Sequence, residues 1–251
     1  MSNISPLINV MKTAYNKVNR RIYRDFGEIE NLQGSDSKID RFFNNTFTSI
    51  EYNLKDYLTY CRPEWKFLTY KNADFNKDTY YWLLEPLSGK ANFKRSIPIF
   101  SSSISVFFNN KIIATSIYDP LRNDFYFTEE GKGAFLNDHR IRVSNRKYLE
   151  NSLISVQVNN STLEIEKLFF KHHIPLKNFR IFNSSTVSMS WLCNGKLDCF
   201  IGINMDQFLI QSSKLLLRES GGFFLETNLN NNNFFICANP TIHKKIIKIL
   251  N

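Results

Sequence analysis

The side chains that most often do chemistry in enzymes are scattered along this sequence, and their spacing argues against several kinds of site. The cysteines and histidines are Cys61, Cys193, Cys199, Cys237, His139, His172, His173 and His243. None forms a C-x-x-C pair or an H-E-x-x-H pattern, so neither a zinc site nor a disulfide framework is predicted. The hydroxyl run Ser184-Ser185-Thr186 lacks a G-x-S-x-G turn and is typical of a helix cap. Chemistry based on zinc, thiolate or an activated serine is therefore not expected.

The composition is that of a basic globular protein. The chain has 251 residues, a formal net charge of +9 and 43% hydrophobic residues. This length is sufficient for one large domain, or for two closely packed halves, with a substantial core. The basic balance favours RNA, DNA or acidic partners, although a solvated surface that has lost acidic residues would give the same charge.

No segment of the sequence predicts a membrane span. No stretch reaches the roughly 18 apolar residues needed to cross a bilayer, and the N-terminus has no long apolar region typical of a signal peptide. Residues 1–24 contain no acid and five cations, which weakly resembles a transit peptide. Their apolar residues follow helical spacing, which favours an ordinary first helix. We therefore expect no membrane contact and a cytoplasmic location.

Two helices and an antiparallel meander are predicted for the first half of the chain. Apolar residues recur at helical spacing over residues 5–25, and again from about Lys38 to Tyr60, where Arg62-Pro63 ends the pattern. The aromatic and β-branched segments that follow are typical of strands. These strands are predicted at Tyr80–Leu84, Ile104–Phe108, Ile112–Ile117, Phe125–Thr128, Gly133–Leu136 and Arg140–Val143. Asn109-Asn110 is a two-residue turn typical of a hairpin.

The second half alternates strands with helices, which predicts an α/β arrangement. The predicted strands are Leu153–Val158, Arg180–Phe182, Leu197–Ile203, Phe223–Leu225 and Phe234–Ala238. The predicted helices are Leu163–His172, Thr186–Cys193, Phe208–Glu219 and Thr241–Leu250. The asparagine run at 230–233 is expected to be a loop between the last two strands.

Several short segments follow one another in an order that matches a known set of motifs. Residues 82–93 read W-L-L-E-P-L-S-G-K-A-N-F, residues 118–120 read Y-D-P, residues 130–137 read E-G-K-G-A-F-L-N and residues 219–222 read E-S-G-G. Together they resemble the inositol monophosphatase family, whose motifs are W-I-x-D-P-[IL]-D-G-T-x-N-F, Y-[DN]-P, R-G-x-G-A-F-x-N and E-A-G-G. Residues 24–33 resemble its bacterial SuhB-like members. The resemblance extends over nearly the whole chain.

The resemblance implies an α/β (α+β) fold, built as a layered αβαβα sandwich. In this fold an antiparallel sheet forms the first half and a mixed sheet the second, with the active site between them. It implies that residues 1–145 form the N-terminal half and residues 146–251 the C-terminal half of one compact unit. Because members of the family usually form dimers, a homodimer is expected.

The family holds magnesium ions with oxygen ligands, mostly carboxylates, from three segments, and the resemblance assigns the corresponding positions. They are Tyr70, Glu85, Leu87 through its carbonyl, Ser88 and Leu209. Only Glu85 stays acidic and is the one acidic metal ligand predicted, since Mg²⁺ prefers carboxylate oxygens. Asp206 could replace a lost acid if its loop is shifted. Two further family acids, one on the second helix and one that contacts substrate, fall at Phe47 and Gly202.

Gly89 and Lys90 follow directly and are candidates for binding a phosphate. Backbone amides at a helix start and a nearby ammonium suit an anion, whereas a turn glycine and a solvated lysine are the alternatives. We also expect the Lys90 ammonium to lie within about 4 Å of a Glu85 oxygen, or to point into the cleft close to it.

Because most of the family's carboxylates are replaced, the sequence predicts a catalytically inactive member that acts by binding and needs no cofactor. The SuhB-like resemblance implies an RNA or transcription-machinery protein as partner. The alternative is a Mg²⁺-dependent phosphatase of inositol 1-phosphate or a related phosphate monoester. A metal-free sensor of a small phosphate ligand, built on Gly89 and Lys90, is a third hypothesis.

Overall fold

The computed structural model describes residues 4–68, 76–159, 178–229 and 232–250, apart from the side chains of residues 207–209, 229 and 250. The chain begins with two helices that pack against each other, α1 (Pro6–Ile29) and α2 (Asp36–Cys61). Ser5 Oγ accepts a hydrogen bond from the Ile8 backbone N–H at 3.2 Å and so caps α1. Both predicted helices are confirmed; α1 ends later than predicted, and α2 extends slightly at both ends.

Seven strands form the first sheet, in their order along the chain. They are β1 (Lys66–Phe67), β2 (Tyr80–Ser88), β3 (Ser101–Phe108), β4 (Lys111–Asp119), β5 (Asp124–Glu129), β6 (Ala134–Leu136) and β7 (His139–Ile141). All neighbours are antiparallel except β1 and β2. Asn109 and Asn110 join β3 to β4 with φ of 48° and 62°, a conformation that asparagine tolerates. The predicted hairpin is therefore confirmed.

The second sheet is mixed and has five strands in the order β11-β12-β10-β8-β9. Its strands are β8 (Ile154–Val158), β9 (Phe179–Arg180), β10 (Cys199–Ile203), β11 (Phe223–Leu229) and β12 (Asn232–Ala238). β8 runs parallel to both β9 and β10, whereas β12 is antiparallel to β10 and β11. The sequence-based expectation of an antiparallel first sheet and a mixed second sheet is confirmed.

Four further helices lie in the described ranges: α3 (Lys90–Lys94), α4 (Ser185–Cys193), α5 (Gln207–Glu219) and α6 (Pro240–Leu250). The first two helices pack on one face of the first sheet. Helices α4 and α5 contact both sheets and lie between them, and α6 packs against the second sheet from its other face. This arrangement is the predicted αβαβα sandwich.

Aromatic side chains fix the short helix α3 against the first layer. The rings of Phe26 in α1, Phe93 in α3 and Phe100 before β3 pack with centroids 4.9 to 5.5 Å apart. Phe93 and Phe100 are fully buried, and Phe26 is partly buried. Removing this apolar ring surface from water stabilises the contact. The loop that precedes α3 is thereby held in a defined position against the first layer.

A single glutamate joins the turn after β5 to the end of α5. Glu219 Oε1 accepts a hydrogen bond from the Gly131 N–H at 3.0 Å, and Oε2 accepts one from the Gly133 N–H at 2.8 Å. Gly131 and Gly133 have φ of 76° and 83°, which glycine adopts without strain. This contact gives a structural reason for the G-x-G turn and the E-x-G-G segment that the sequence contains.

Three local features differ from the sequence-based expectations. Strand β1 was not predicted, and helix α3 was expected only from the resemblance, because two and five residues are too few for a periodic pattern. Asn232 and Asn233, predicted to lie in a loop, belong to β12 and pair with β11. The ladder is made by backbone groups, so polar residues extend the hairpin without an apolar pattern.

Two expectations are not tested by the structure. The predicted helix Leu163–His172 lies outside the described residues. The division of the chain between residues 145 and 146 stays a prediction. Among the helices of the described ranges, none is both long and apolar enough to span a bilayer.

Candidate functional site

The resemblance places the family's active-site cleft around Glu85, near the end of β2, and we call the surroundings of Glu85 the cleft. Glu85 pairs with Ser103 of β3, and the register then shifts before Ser88. A shift of this kind bends the strand and changes the direction of the side chains that follow. Ser102 Oγ donates to the Pro86 carbonyl at 2.6 Å and holds the bend in place.

The carboxylate of Glu85 is enclosed and incompletely paired. Its Oε2 is buried and accepts no hydrogen bond from the residues that the structure describes. Burial raises the pKa of Glu85 to about 7, while Ser88, Lys90 and Ser103 act in the opposite direction and the charge of Asp206 adds to the rise. Near neutral pH this side chain is therefore divided between its protonated and ionised forms.

Gly89 has a steric reason to be glycine. It adopts φ of 90° and precedes α3, where a Cβ would lie 2.7 Å from the Ile99 carbonyl oxygen. The Phe93 N–H donates to the Gly89 carbonyl at 3.0 Å, which closes the single turn of this helix. These contacts explain the glycine without a ligand, so its anion-binding role stays a prediction.

The Lys90 ammonium does not lie within 4 Å of a Glu85 oxygen, which was the first form of the expectation; the second form, that it points into the cleft close to Glu85, stays a prediction. Its ammonium nitrogen lies 4.3 Å from the centroid of the Phe47 ring, and the ion pairs within the described ranges do not include one between Lys90 and Glu85. Lys90 is exposed, yet its charge lowers the pKa of Glu85. The Lys90 ammonium thus contacts the ring of Phe47 directly and acts on Glu85 through its charge at longer range.

Ser88 connects the cleft loop to the other half of the molecule. It is buried, and the Ser184 hydroxyl donates to Ser88 Oγ at 3.2 Å. Ser184 is the residue before α4, as the hydroxyl run predicted, but its side chain makes no cap hydrogen bond. Ser101 and Thr186 pair nearby at 2.6 Å. Hydroxyl contacts therefore fasten the loop to the start of α4.

Asp206 approaches the same cleft from the second sheet. It follows β10, and its carbonyl accepts a hydrogen bond from the Ile210 N–H at 3.3 Å at the start of α5. Its charge raises the pKa of Glu85, which places the two acids in one electrostatic environment. The sequence had named Asp206 only as a substitute that required a shifted loop.

The other positions predicted to bind metal or substrate say less about the site. Leu209 lies in the first turn of α5, and its side chain is outside the described part of the chain, as is all of Tyr70. Leu87 is buried in the first core. Gly202 lies inside β10, where a Cβ would be 2.7 Å from Met205 Cγ, so a larger side chain would require repacking.

The described residues offer few ligands for a cation. They contain no group of three or more histidine, cysteine, aspartate or glutamate side chains arranged to hold a metal ion. The oxygen donors near one another are the unpaired Glu85 oxygen, the Ser88 hydroxyl and, at longer range, Asp206. Sequence reasoning missed Ser103 and gave Ser184 only as part of a helix cap, because their approach to Glu85 and Ser88 depends on strand pairing and on packing across the layers. The serine run at residues 101–103 was an available signal.

Comparison with known proteins gives consistent matches over nearly the full length. The model of the inositol monophosphatase family matches residues 4–251. The chain is 29% identical to an inositol-1-monophosphatase of Mesorhizobium japonicum, over 97% of this chain and 96% of the relative. It is also 29% identical to the Nus factor SuhB of Buchnera aphidicola subsp. Acyrthosiphon pisum, over 98% of this chain and 96% of that protein. The solved structure of the extragenic suppressor protein suhB from Bartonella henselae matches with a TM-score of 0.82 and 27% identity, covering 98% of this chain and 99% of its own.

Proposed function

This chain belongs to the inositol monophosphatase family, and we propose that it is a SuhB-like member that acts by binding rather than by hydrolysing phosphate esters. The observation that carries the proposal is the make-up of the positions that the resemblance assigns to magnesium, where Glu85 is the one acid. The one acid at the family's metal positions has an enclosed, unpaired oxygen and a pKa raised to about 7.

The chemistry of magnesium supports this proposal. Mg²⁺ is bound by ionised carboxylates, and a pair of ions requires several of them to balance its charge. Here Glu85 is the one carboxylate at these positions, Ser88 supplies a neutral hydroxyl, and Lys90 adds a positive charge to the same region. The residues present therefore fit a two-ion centre poorly.

The binding role is supported by charge and by the names of relatives. The net charge of +9 favours an acidic partner, either RNA or an acidic protein surface. Relatives in Buchnera aphidicola and Escherichia coli are named Nus factor SuhB. We propose a partner in the transcription machinery for this chain; the homodimer and the cytoplasmic location stay predictions.

A second candidate function is a Mg²⁺-dependent phosphatase of inositol 1-phosphate or a similar monoester. It is favoured by the unpaired Glu85 oxygen and by the proximity of the Asp206 charge, which together could attract one hard cation. Relatives named inositol-1-monophosphatase agree with this candidate. Any ion bound there would polarise a phosphate oxygen, while Glu85 and Asp206 would hold it.

Phosphate release from inositol 1-phosphate, with and without Mg²⁺, separates the two candidates. We expect no magnesium-dependent release above the blank for the unmodified chain. The matched variants are Glu85→Gln and Asp206→Asn, with Asp138→Asn in an exposed turn as the control. A magnesium-dependent rate that both cleft variants abolish and the control retains would establish the phosphatase and overturn the binding proposal.

A further inference from the structure

The outer face of the last helix, α6, is lined by lysines. The helix packs against the second sheet through Ile242 and Ile246, which are buried. At about 100° per residue, Lys244, Lys245 and Lys248 fall together on the side that faces away from the sheet. We call this stripe of three lysines the α6 basic face. It lies in an outer layer of the sandwich and is separate from the cleft, which belongs to the first sheet.

The charge of the α6 basic face is not matched within the described residues. The ion pairs of these ranges include none of its three lysines, and the chain contains no aspartate or glutamate after Glu226. The neighbouring Arg146 behaves differently, because it pairs with the buried Asp198 at 3.1 Å and so serves the fold. The next residue, Lys147, is exposed and belongs to no described ion pair. An anion from outside the chain is therefore the natural partner of this surface.

The segment after β7 is fastened to the start of α6. The Asn239 side-chain oxygen accepts hydrogen bonds from the Thr241 and Ile242 N–H groups at 3.0 and 2.9 Å and caps the helix. Its amide nitrogen donates to the Arg146 carbonyl at 3.2 Å. One side chain thus fixes the loop and the helix relative to each other, so a ligand can contact both without a rearrangement.

An exposed aromatic ring lies on each flank of the α6 basic face. On one flank, Tyr148 is 59% exposed, and the Lys245 ammonium lies 5.3 Å from its ring centroid. On the other flank, Phe223 at the start of β11 is 53% exposed, and its ring lies 5.7 Å from that of His243. His243 and Lys245 are two residues apart and therefore point to opposite sides of the helix. The two rings are thus separated by the width of a helix, about 10 Å, with the lysines between them.

This order of groups favours a single nucleic acid strand over other anions. Single strands are bound by cations that contact phosphates and by aromatic rings on which bases stack. A duplex keeps its bases paired inside, so neither ring could stack on them. An acidic protein segment would satisfy the lysines, but its apolar side chains need a concave surface, whereas the outside of a helix is convex.

We infer that the α6 basic face binds a short single-stranded RNA segment, with one base on Tyr148, another on Phe223 and the intervening phosphates on the lysines. This assignment rests on the binding role proposed above and specifies RNA as the acidic partner. No strong base preference is expected, because stacking and phosphate contacts do not read base edges.

The test follows the fluorescence anisotropy of fluorescein-labelled decauridylate titrated with the full-length chain. We expect saturable binding in the micromolar range that weakens as salt is raised. Lys244→Gln with Lys248→Gln should weaken it about tenfold and lower the slope of log affinity against log salt by about 1.4, since each phosphate contact of a single strand contributes about 0.7.

The matched control is Lys38→Gln with Arg41→Gln, which removes the same charge from exposed positions of α2 in the opposite outer layer. It should bind as the unmodified chain does. An equal loss in both double variants would show that net charge alone drives binding and would overturn the inference.

Substitutions of the rings test stacking separately from charge. Tyr148→Ala should weaken binding about tenfold, whereas Tyr148→Phe, which keeps the ring, should bind as the unmodified chain does. Phe223→Ala and Phe223→Tyr should differ in the same way, and the Tyr148 pair decides alone if Phe223→Ala does not fold. Alanine variants that bind as tightly as the ring-keeping ones would contradict the inference.

Three unlabelled competitors define the occupant. An abasic strand and an RNA duplex, both of the same length as decauridylate, should compete more weakly than decauridylate itself. A decapeptide of alternating Glu and Ser that displaces decauridylate at equal concentration would assign the face to an acidic protein and overturn the inference. Stronger competition by the abasic strand or the duplex would do the same.

This test and the cleft test fail separately. Magnesium-dependent phosphate release abolished by Glu85→Gln would overturn the non-catalytic proposal while leaving the RNA titration interpretable. Absence of decauridylate binding together with absence of phosphate release would overturn only the RNA assignment, because a protein partner would remain for the proposed binding role.

Discussion

Two glutamates of this chain are both withdrawn from solvent, yet only one has partners for both oxygens. The Glu219 carboxylate accepts hydrogen bonds from the Gly131 and Gly133 N–H groups. The Glu85 carboxylate has an enclosed oxygen with no hydrogen-bond partner in the described ranges. The first joins two segments of the fold, and the second faces the cleft.

The difference separates two uses of a carboxylate. A charge that serves the fold is matched within the chain, because an unmatched buried charge destabilises the folded state. A charge left unmatched can be matched only by a proton, a cation or a ligand donor from outside. The unmatched Glu85 carboxylate therefore stabilises the fold less than the Glu219 carboxylate does, and it says more about function.

The largest effect is expected at Glu219. Glu219→Ala leaves the Gly131 and Gly133 N–H groups without their acceptor and should lower the free energy of unfolding by about 3 kcal/mol. Urea denaturation followed by fluorescence measures this change. Glu64→Ala, at an exposed position, is the control. A loss below about 1 kcal/mol would mean that the turn does not depend on this carboxylate.

Glu85→Gln should raise the free energy of unfolding at high pH, whereas Glu219→Ala lowers it. Burial raises the pKa of Glu85 from 4.5 to about 7, so the folded state binds its proton more tightly than the unfolded chain does. Its contribution to stability is full below about pH 4.5 and is lost as the pH rises through about 7. At pH 8 the glutamine variant, which has no such loss, should be more stable by up to about 3 kcal/mol.

Unfolding curves at pH 4, 6 and 8 check this prediction. The unmodified chain should lose stability relative to Glu85→Gln over this range, since only Glu85 ionises at that position. Equal pH dependence in both proteins would show that the carboxylate is solvated or has a partner, and the contrast with Glu219 would disappear.

The helices, the hairpin and the family resemblance were predictable because they depend on local periodicity and short motifs. The bond between Glu219 and Gly133 joins residues 86 positions apart, and no local pattern reveals it. The contact of Lys90 with Phe47 was missed for a similar reason. An opposite charge five residues away suggested a pair with Glu85, whereas the packing of α3 against α2 brings an aromatic ring nearer to the ammonium.

Restoring carboxylates should sharpen the contrast on the cleft side. The double substitution Ser88→Asp with Leu209→Asp introduces acids at two of the positions that the resemblance assigns to magnesium. Mg²⁺ should then stabilise the variant by about 1.4 kcal/mol at ten times its dissociation constant. Thermal unfolding with and without Mg²⁺ measures the shift, and the unmodified chain is the reference. Equal shifts in both proteins would contradict the assignment of these positions.

The smallest effect is expected at Lys90, where a substitution tests whether the charge of this α3 residue alters the pKa of Glu85. The Lys90 ammonium lies over Phe47 and lowers the pKa of Glu85 without touching it. Lys90→Met keeps an apolar stem over the ring and removes the charge, so the pKa of Glu85 should rise further. The loss of stability should be only about 0.5 kcal/mol, typical of an exposed cation on an aromatic face.

Lys94→Met is a matched control, because Lys94 also lies over a ring, that of Phe43 at 4.9 Å, but pairs with Asp40. Carbon-13 NMR titration of the Glu85 carboxyl measures its pKa in both variants. A higher pKa in Lys90→Met alone supports an electrostatic effect of Lys90 on Glu85, and an unchanged pKa would show that the Lys90 charge does not reach Glu85.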